Sequence, residues 1–179
     1  MLTTDNTLLV IVDVQGKLAT LMHDHEALFK NLQALAKGSV LLDIPILWLE
    51  QLPEKLGSTI PELQDILSDL TPIEKSSFSG CGAQAFTSAL RASGRQKILL
   101  AGIEAHICVY QTAADLLLQA YEVEVVVDAV SSRTLQSKDV ALDKMSALGA
   151  DLTTVEMALF ELMETAEAPQ FREIARLIK

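Results

Sequence analysis

Short apolar runs recur along this chain, and stretches with helical spacing separate them. Thr7–Asp13 reads TLLVIVD, Pro45–Glu50 reads PILWLE, Lys97–Gly102 reads KILLAG and Glu122–Val127 reads EVEVVV. Runs of this length, rich in β-branched residues, predict strands, most of them buried on both faces. Ile73–Ser77 and Ala150–Thr153 predict two shorter strands. Between the strands, Glu26–Leu42 carries Leu28, Leu32, Leu35 and Ala36 at helical spacing. Glu62–Leu70 predicts a weaker helix. Ala83–Ser93 and Lys138–Leu148 predict helices stopped by Gly94 and Gly149, and Ile107–Gln119 is strongly helical in pattern. Val155–Lys179 predicts one or two terminal helices interrupted at Pro169. Gln51–Pro61 reads as a loop and Ser79-Gly80-Cys81-Gly82 as a small-residue turn. This alternation predicts an α/β fold, a parallel sheet covered by helices on both faces in three αβα layers.

Composition narrows the field further. The 179 residues hold no fixed-period repeat, low-complexity tract or linker, so a single domain over 1–179 is expected. Lys and Arg number 14 against 24 Asp and Glu, a net charge of -10 that repels phosphate backbones. No nucleic-acid partner is expected. The N-terminal MLTTDNT has neither the basic nor the apolar part of a secretory signal, and no apolar run is long enough to span a bilayer. A cytoplasmic protein with no membrane partner is the expectation. Its two cysteines, Cys81 and Cys108, would then be free thiols.

In a doubly wound sheet, ligands bind beyond the carboxyl ends of the strands. Candidates are therefore residues that follow a predicted strand. Asp13 closes the first strand; it could be a helix N-cap or a base. Lys75 lies at or just after the third; it could be a solvated strand end or a fixed positive charge beside a carboxylate. Cys108 follows KILLAG at the start of a predicted helix, where the helix dipole would lower its pKa and nearby amides could hold an oxyanion. Buried filler is its alternative. Cys81 reads as structural. His23, His25 and His106 lack metal-ligand spacing, and no metal or other cofactor is expected. His106 could serve Cys108 as a base but ranks behind Asp13. Glu50 and Gln51, which end the second strand, could line a pocket. Trp48 reads as core.

Asp13, Lys75 and Cys108, in this order and each after a strand, resemble the isochorismatase-like superfamily of cysteine hydrolases. The segments VDVQ, EKSSFS and GIEAHICVYQTAADLL are similar to its acidic opening, lysine segment and nucleophile turn. WLEQ, TIPEL, DAVSSR and PQFREIARLIK resemble the small isochorismatase-domain-containing proteins. The likeness runs over nearly the whole chain. It implies a Rossmann-like sheet of six parallel strands, a small-molecule substrate, and assembly into dimers or larger homo-oligomers. It also implies that Cys108 is the nucleophile, Asp13 its base, and Lys75 the charge that keeps Asp13 ionised. A cis peptide would fall at Ile103–Glu104, beside the oxyanion amides. Gln15, Glu50, Gln51 and Ala105 would be the substrate-binding positions. Nicotinamidases of the superfamily bind a metal through an Asp and histidines, for which no matching residues stand here. Isochorismatases proper lack a cysteine at this turn, so Cys108 argues against a vinyl ether substrate. The resemblance favours cleavage of an amide-type C–N bond. The alternatives are a thiol that reacts with oxidants, or a binding protein on the same fold that has lost turnover.

Overall fold

A computed structural model describes residues 1–179. Six strands form one parallel sheet: β1 (Thr7–Val12), β2 (Ile46–Gln51), β3 (Ile73–Lys75), β4 (Lys97–Ile103), β5 (Glu122–Ser131) and β6 (Asp151–Thr153). Their order across the sheet is β3-β2-β1-β4-β5-β6. The chain therefore winds outward from β1 to one edge, then returns and builds the other half from β4. The strand order switches between β1 and β4, which pair from Thr7↔Lys97 to Val12↔Gly102. That crevice is where doubly wound sheets bind ligands.

β1 shows why the sheet lies in the middle. All six of its residues are buried. Leu9 and Ile11 enter a core with Leu28, Leu32 and Leu35 of α2 (His25–Leu41) and Leu159 and Leu162 of α8 (Val155–Met163). Leu8, Val10 and Val12 enter the opposite core, with Phe86 and Leu90 of α5 (Gln84–Ser93) and Ala113 and Leu116 of α6 (Tyr110–Leu118). Alternate side chains of one strand thus bury against two helical layers, each large side chain contributing about 1.5–3 kcal/mol. α7 (Leu135–Ala147) joins the second layer through Ala141 and Met145, and α9 (Phe171–Leu177) seals the first through Ile174.

Short elements fill in what periodicity could not read. α1 (Gly16–Thr20) follows β1, and α3 (Pro53–Leu56) and α4 (Pro61–Gln64) are single turns that start at proline. The predicted helix 62–70 reduces to α4 and a series of turns. β5 runs on to Ser131, beyond the predicted Val127, through an irregularity where its pairing with β4 jumps from Leu100↔Val125 to Gly102↔Val130; there Asp128 Oδ1 accepts from Val155 N at 2.9 Å, at the start of α8. No helix is long and apolar enough to cross a membrane.

Gly102 is the tightest point of the switch crevice. Its φ is 117°, and a Cβ there would run into the Val12 backbone. Gly102→Ala should therefore lose more than about 1 kcal/mol, since strain and clash act together. Urea denaturation monitored by circular dichroism measures it; an unchanged midpoint would mean that β1 and β4 have room to part.

Candidate active site

Three neighbouring strand ends build one side of the site. Asp13 stands one residue past β1, with φ at 51°, a left-handed conformation that Asp tolerates better than most residues. Its amide still donates to Leu49 O at 3.1 Å, so the turn begins without loss of a sheet bond. The Asp13 side chain is turned inward and almost fully buried. Lys75 ends β3, two strands away, in register with Gln51 at the end of β2. Its buried side chain crosses the end of β2. Nζ donates to Asp13 Oδ2 and Gln51 Oε1, both at 2.6 Å, and to the carbonyls of Phe78 at 3.0 Å and Ser77 at 3.1 Å.

Those four acceptors meet an ammonium with only three protons. No proton of Lys75 is left over for a substrate, so the group acts as a fixed positive charge. Gln51 holds it there: its Oε1 takes Nζ, and its Nε2 donates to Ser76 O at 2.8 Å. Gln15 in turn fixes Gln51. Its Oε1 accepts from Gln51 N at 2.6 Å, and its Nε2 donates to Gln51 O at 3.2 Å and Gly57 O at 2.7 Å. Glu50 Oε1 accepts from Thr59 N at 2.6 Å and from Thr59 Oγ1 at 2.7 Å, which ties down the loop after β2. Gln15, Glu50 and Gln51 therefore surround the ion pair with their polar atoms engaged inside the protein.

The other side of the site comes from β4. The Ile103–Glu104 peptide is cis. Ala105–Val109 then forms a π-helical turn that leads into α6. Cys108 lies in that turn and is 8% exposed, and Ala105 is fully buried. The Cys108 carbonyl is anchored by Thr112 Oγ1 at 2.7 Å, and the same oxygen accepts from Gly80 N at 2.9 Å. Thr112, four residues on along the helix, is the usual position for such back-bonding. Its second bond crosses to another loop, which spacing cannot reveal. Glu104 pairs with Arg133 at 2.8 Å. His106 Nδ1 meets Ser132 Oγ at 2.9 Å. Cys81 is half-buried, and its electrostatic neighbour is Asp115.

The carboxyl of Asp13 is pushed above its ordinary range, chiefly by burial; the Lys75 ammonium pulls it back only part of the way, and Glu50 adds a smaller upward push. The Cys108 thiol also lowers this carboxyl slightly, and Asp13 Oδ1 has no hydrogen-bond partner of its own. The Cys108 thiol itself is pushed up to about 12, by burial first and then by the negative charge of Asp13, against the opposing pull of Lys75. This reverses the thiol shift expected from a helix start. The sulfur sits inside a π turn, where desolvation and a facing carboxylate outweigh the dipole of α6. At neutral pH the proton rests on sulfur, with the Asp13 carboxyl facing it. No group of three or more His, Cys, Asp or Glu side chains converges to hold a metal.

Gln51 offers a direct check on this geometry. Gln51→Ala removes one neutral acceptor from a buried ammonium, and the variant should lose about 1.5–3 kcal/mol of stability. With Lys75 less firmly fixed, the Asp13 carboxyl should rise further, and the acid limb of any pH–rate profile should move to higher pH. A variant with both quantities unchanged would show that Lys75 does not need Gln51.

The Isochorismatase domain family model matches residues 7–157. Isochorismatase domain-containing protein 2A of Mus musculus is 38% identical over 175 residues, spanning 98% of this chain and 84% of the relative. Isochorismatase domain-containing protein 1 of Salmo salar is 37% identical over 147 residues, 82% of this chain; the aligned part spans about half of that relative, 52%. Among solved structures, the MAR1 ribonuclease of Caenorhabditis elegans superposes with a TM-score of 0.93 at 36% identity, covering 99% of this chain and 91% of that one.

Proposed function

The chain belongs to the isochorismatase-domain family, and from that premise we propose that it hydrolyses a carbon–nitrogen bond of a small molecule through Cys108, Asp13 and Lys75. The single observation that carries the reading is the convergence of a buried ion pair and a thiol at the β1/β4 switch point. Burying two charges costs several kcal/mol per ion before their attraction is counted, so stability alone is a poor reason to keep them there.

Cys108 Sγ attacks the carbonyl carbon while Asp13 takes the thiol proton. A C–S bond forms, and the carbonyl π pair moves to oxygen. Amides of the turn hold that oxyanion, apart from Ile107 N, which already donates to Glu104 O at 3.0 Å; removing one such donor in a known protease costs about 2.7–4 kcal/mol. The tetrahedral adduct collapses, the C–N bond breaks, and Asp13 returns the proton to the leaving amine. Water, deprotonated by Asp13, then cleaves the thioester and releases a carboxylic acid and the free thiol. Lys75 keeps Asp13 anionic enough to act as a base without donating to the substrate itself.

Two competing readings receive less support. A redox-responsive thiol is best served by a lowered pKa and exposure, and Cys108 has neither. The ribonuclease named among the neighbours acts on a polyanion, whereas this chain carries a net charge of -10. Two free thiols accord with a reducing compartment such as the cytosol. Self-association has support from exposed apolar side chains such as Leu118, Val140 and Met157.

A panel of small amides, carbamoyl compounds and vinyl ethers, scored for released amine or alcohol, tests the reaction class. Turnover should appear among the carbonyl–nitrogen substrates and require Cys108. Turnover of vinyl ethers alone, or amide hydrolysis that persists in Cys108→Ala, would overturn the proposal.

A further inference from the structure

Away from the catalytic face, α2, α9 and the turns after α4 line an open groove of about 390 Å³. That volume lies within the roughly 300–1,000 Å³ range of small-molecule sites. Val40, Leu41, Ile66 and Leu177 form its apolar wall, and Lys37, Arg176 and Glu173 are its only charged lining residues. None of these three takes part in an ion pair. A second cavity of about 430 Å³ shares Val40 and Ile66 with the first, so the groove continues past Ile44, Pro45, Leu67 and Leu70.

Charge orders the groove from end to end. Two cations oppose one carboxylate at the α9 end, whereas Asp43 and Asp69 oppose Arg95 at the far end. Arg95 is also committed, with Nη1 donating to Thr4 O at 2.6 Å. An apolar trough whose free cations lie at one end, and whose other end is acidic, selects both the kind of ligand and its direction.

We propose that this groove is a second ligand site, separate from the Cys108 site, that binds a free single-chain carboxylate. The carboxylate pairs with Lys37 and Arg176, and the alkyl chain runs along Val40 and Ile66 towards Leu70. A neutral amphiphile gains only the burial of its tail. A cationic one meets Lys37 and Arg176 at one end and must desolvate its head against apolar wall elsewhere.

Titration calorimetry of the full chain with decanoate, decan-1-ol and decyltrimethylammonium provides the test. Decanoate should bind saturably at one site, and decan-1-ol at least about tenfold more weakly, the size expected for losing a charge-assisted pair. Lys37→Glu/Arg176→Glu should abolish decanoate binding while leaving decan-1-ol binding intact. Val40→Trp, which fills the shared wall, should weaken both. Sedimentation velocity should give one assembly state for all variants. Equal affinity for the three head groups, decanoate binding that survives charge reversal, or a change of assembly state on charge reversal, which would make a second copy the occupant, would each overturn the proposal. Turnover at Cys108 enters none of these readouts, so this site and the hydrolase reading stand or fall separately.

Discussion

Cys108→Ala should lower kcat/KM by about 10⁴–10⁶-fold, the range that follows removal of a member of a nucleophile–base unit. The variant should fold, because the change removes one 8%-exposed sulfur and leaves the Asp13–Lys75 pair in place. Its thermal midpoint is therefore the control that separates lost chemistry from lost structure. Cys108→Ser is the finer probe. It keeps a proton donor beside Asp13 but offers a poorer nucleophile, so it should also be severely impaired. Near wild-type activity in either variant, with folding intact, would remove Cys108 from the mechanism.

Lys75→Met has the largest expected effect on stability. The substitution leaves the Asp13 carboxylate buried without its partner, and breaking a buried pair in this way costs about 3–5 kcal/mol. The sign with pH follows from Asp13. Its folded-state carboxyl lies above the ordinary value of 3.8. A carboxyl shifted upward favours the fold most in acid, below its unfolded pKa, and that contribution is lost as pH rises through the folded pKa. Without Lys75 the upward shift grows. The deficit of the variant should therefore be greatest near neutral pH and shrink towards pH 4. Adding Asp13→Asn to Lys75→Met should restore part of the stability and none of the activity, because the orphan charge is gone but so is the base. Denaturant midpoints across pH measure this; a deficit independent of pH would mean that Asp13 is not the group Lys75 compensates.

The positions of Asp13, Lys75 and Cys108 were legible because strand ends were legible. β1 and β4 announce themselves as apolar runs and β3 as a shorter one, and a parallel sheet brings their carboxyl ends to one edge. What joins the three residues was not legible. Two of the four acceptors of Lys75 are the carbonyls of Ser77 and Phe78, and backbone carbonyls leave no mark in a sequence. The role of Gln51 depends on β2 lying between β1 and β3, a matter of strand order rather than of local pattern. The thiol shift runs opposite to the sequence expectation because KILLAG followed by a helical pattern suggests a plain helix start. Five residues of π turn come first, and the burial they impose controls the sulfur. α1 escaped notice for a simpler reason, since five residues are too few to display a period.

The central claim is that Cys108 becomes covalently acylated during turnover. Rapid mixing with a turned-over amide, acid quench and peptide mass mapping tests it most directly. The predicted result is an acyl mass on the peptide that carries Cys108, absent in Cys108→Ala, with half-buried Cys81 unlabelled in the same sample. Continued turnover with no acyl adduct at Cys108, or with the adduct on Cys81 instead, would contradict it.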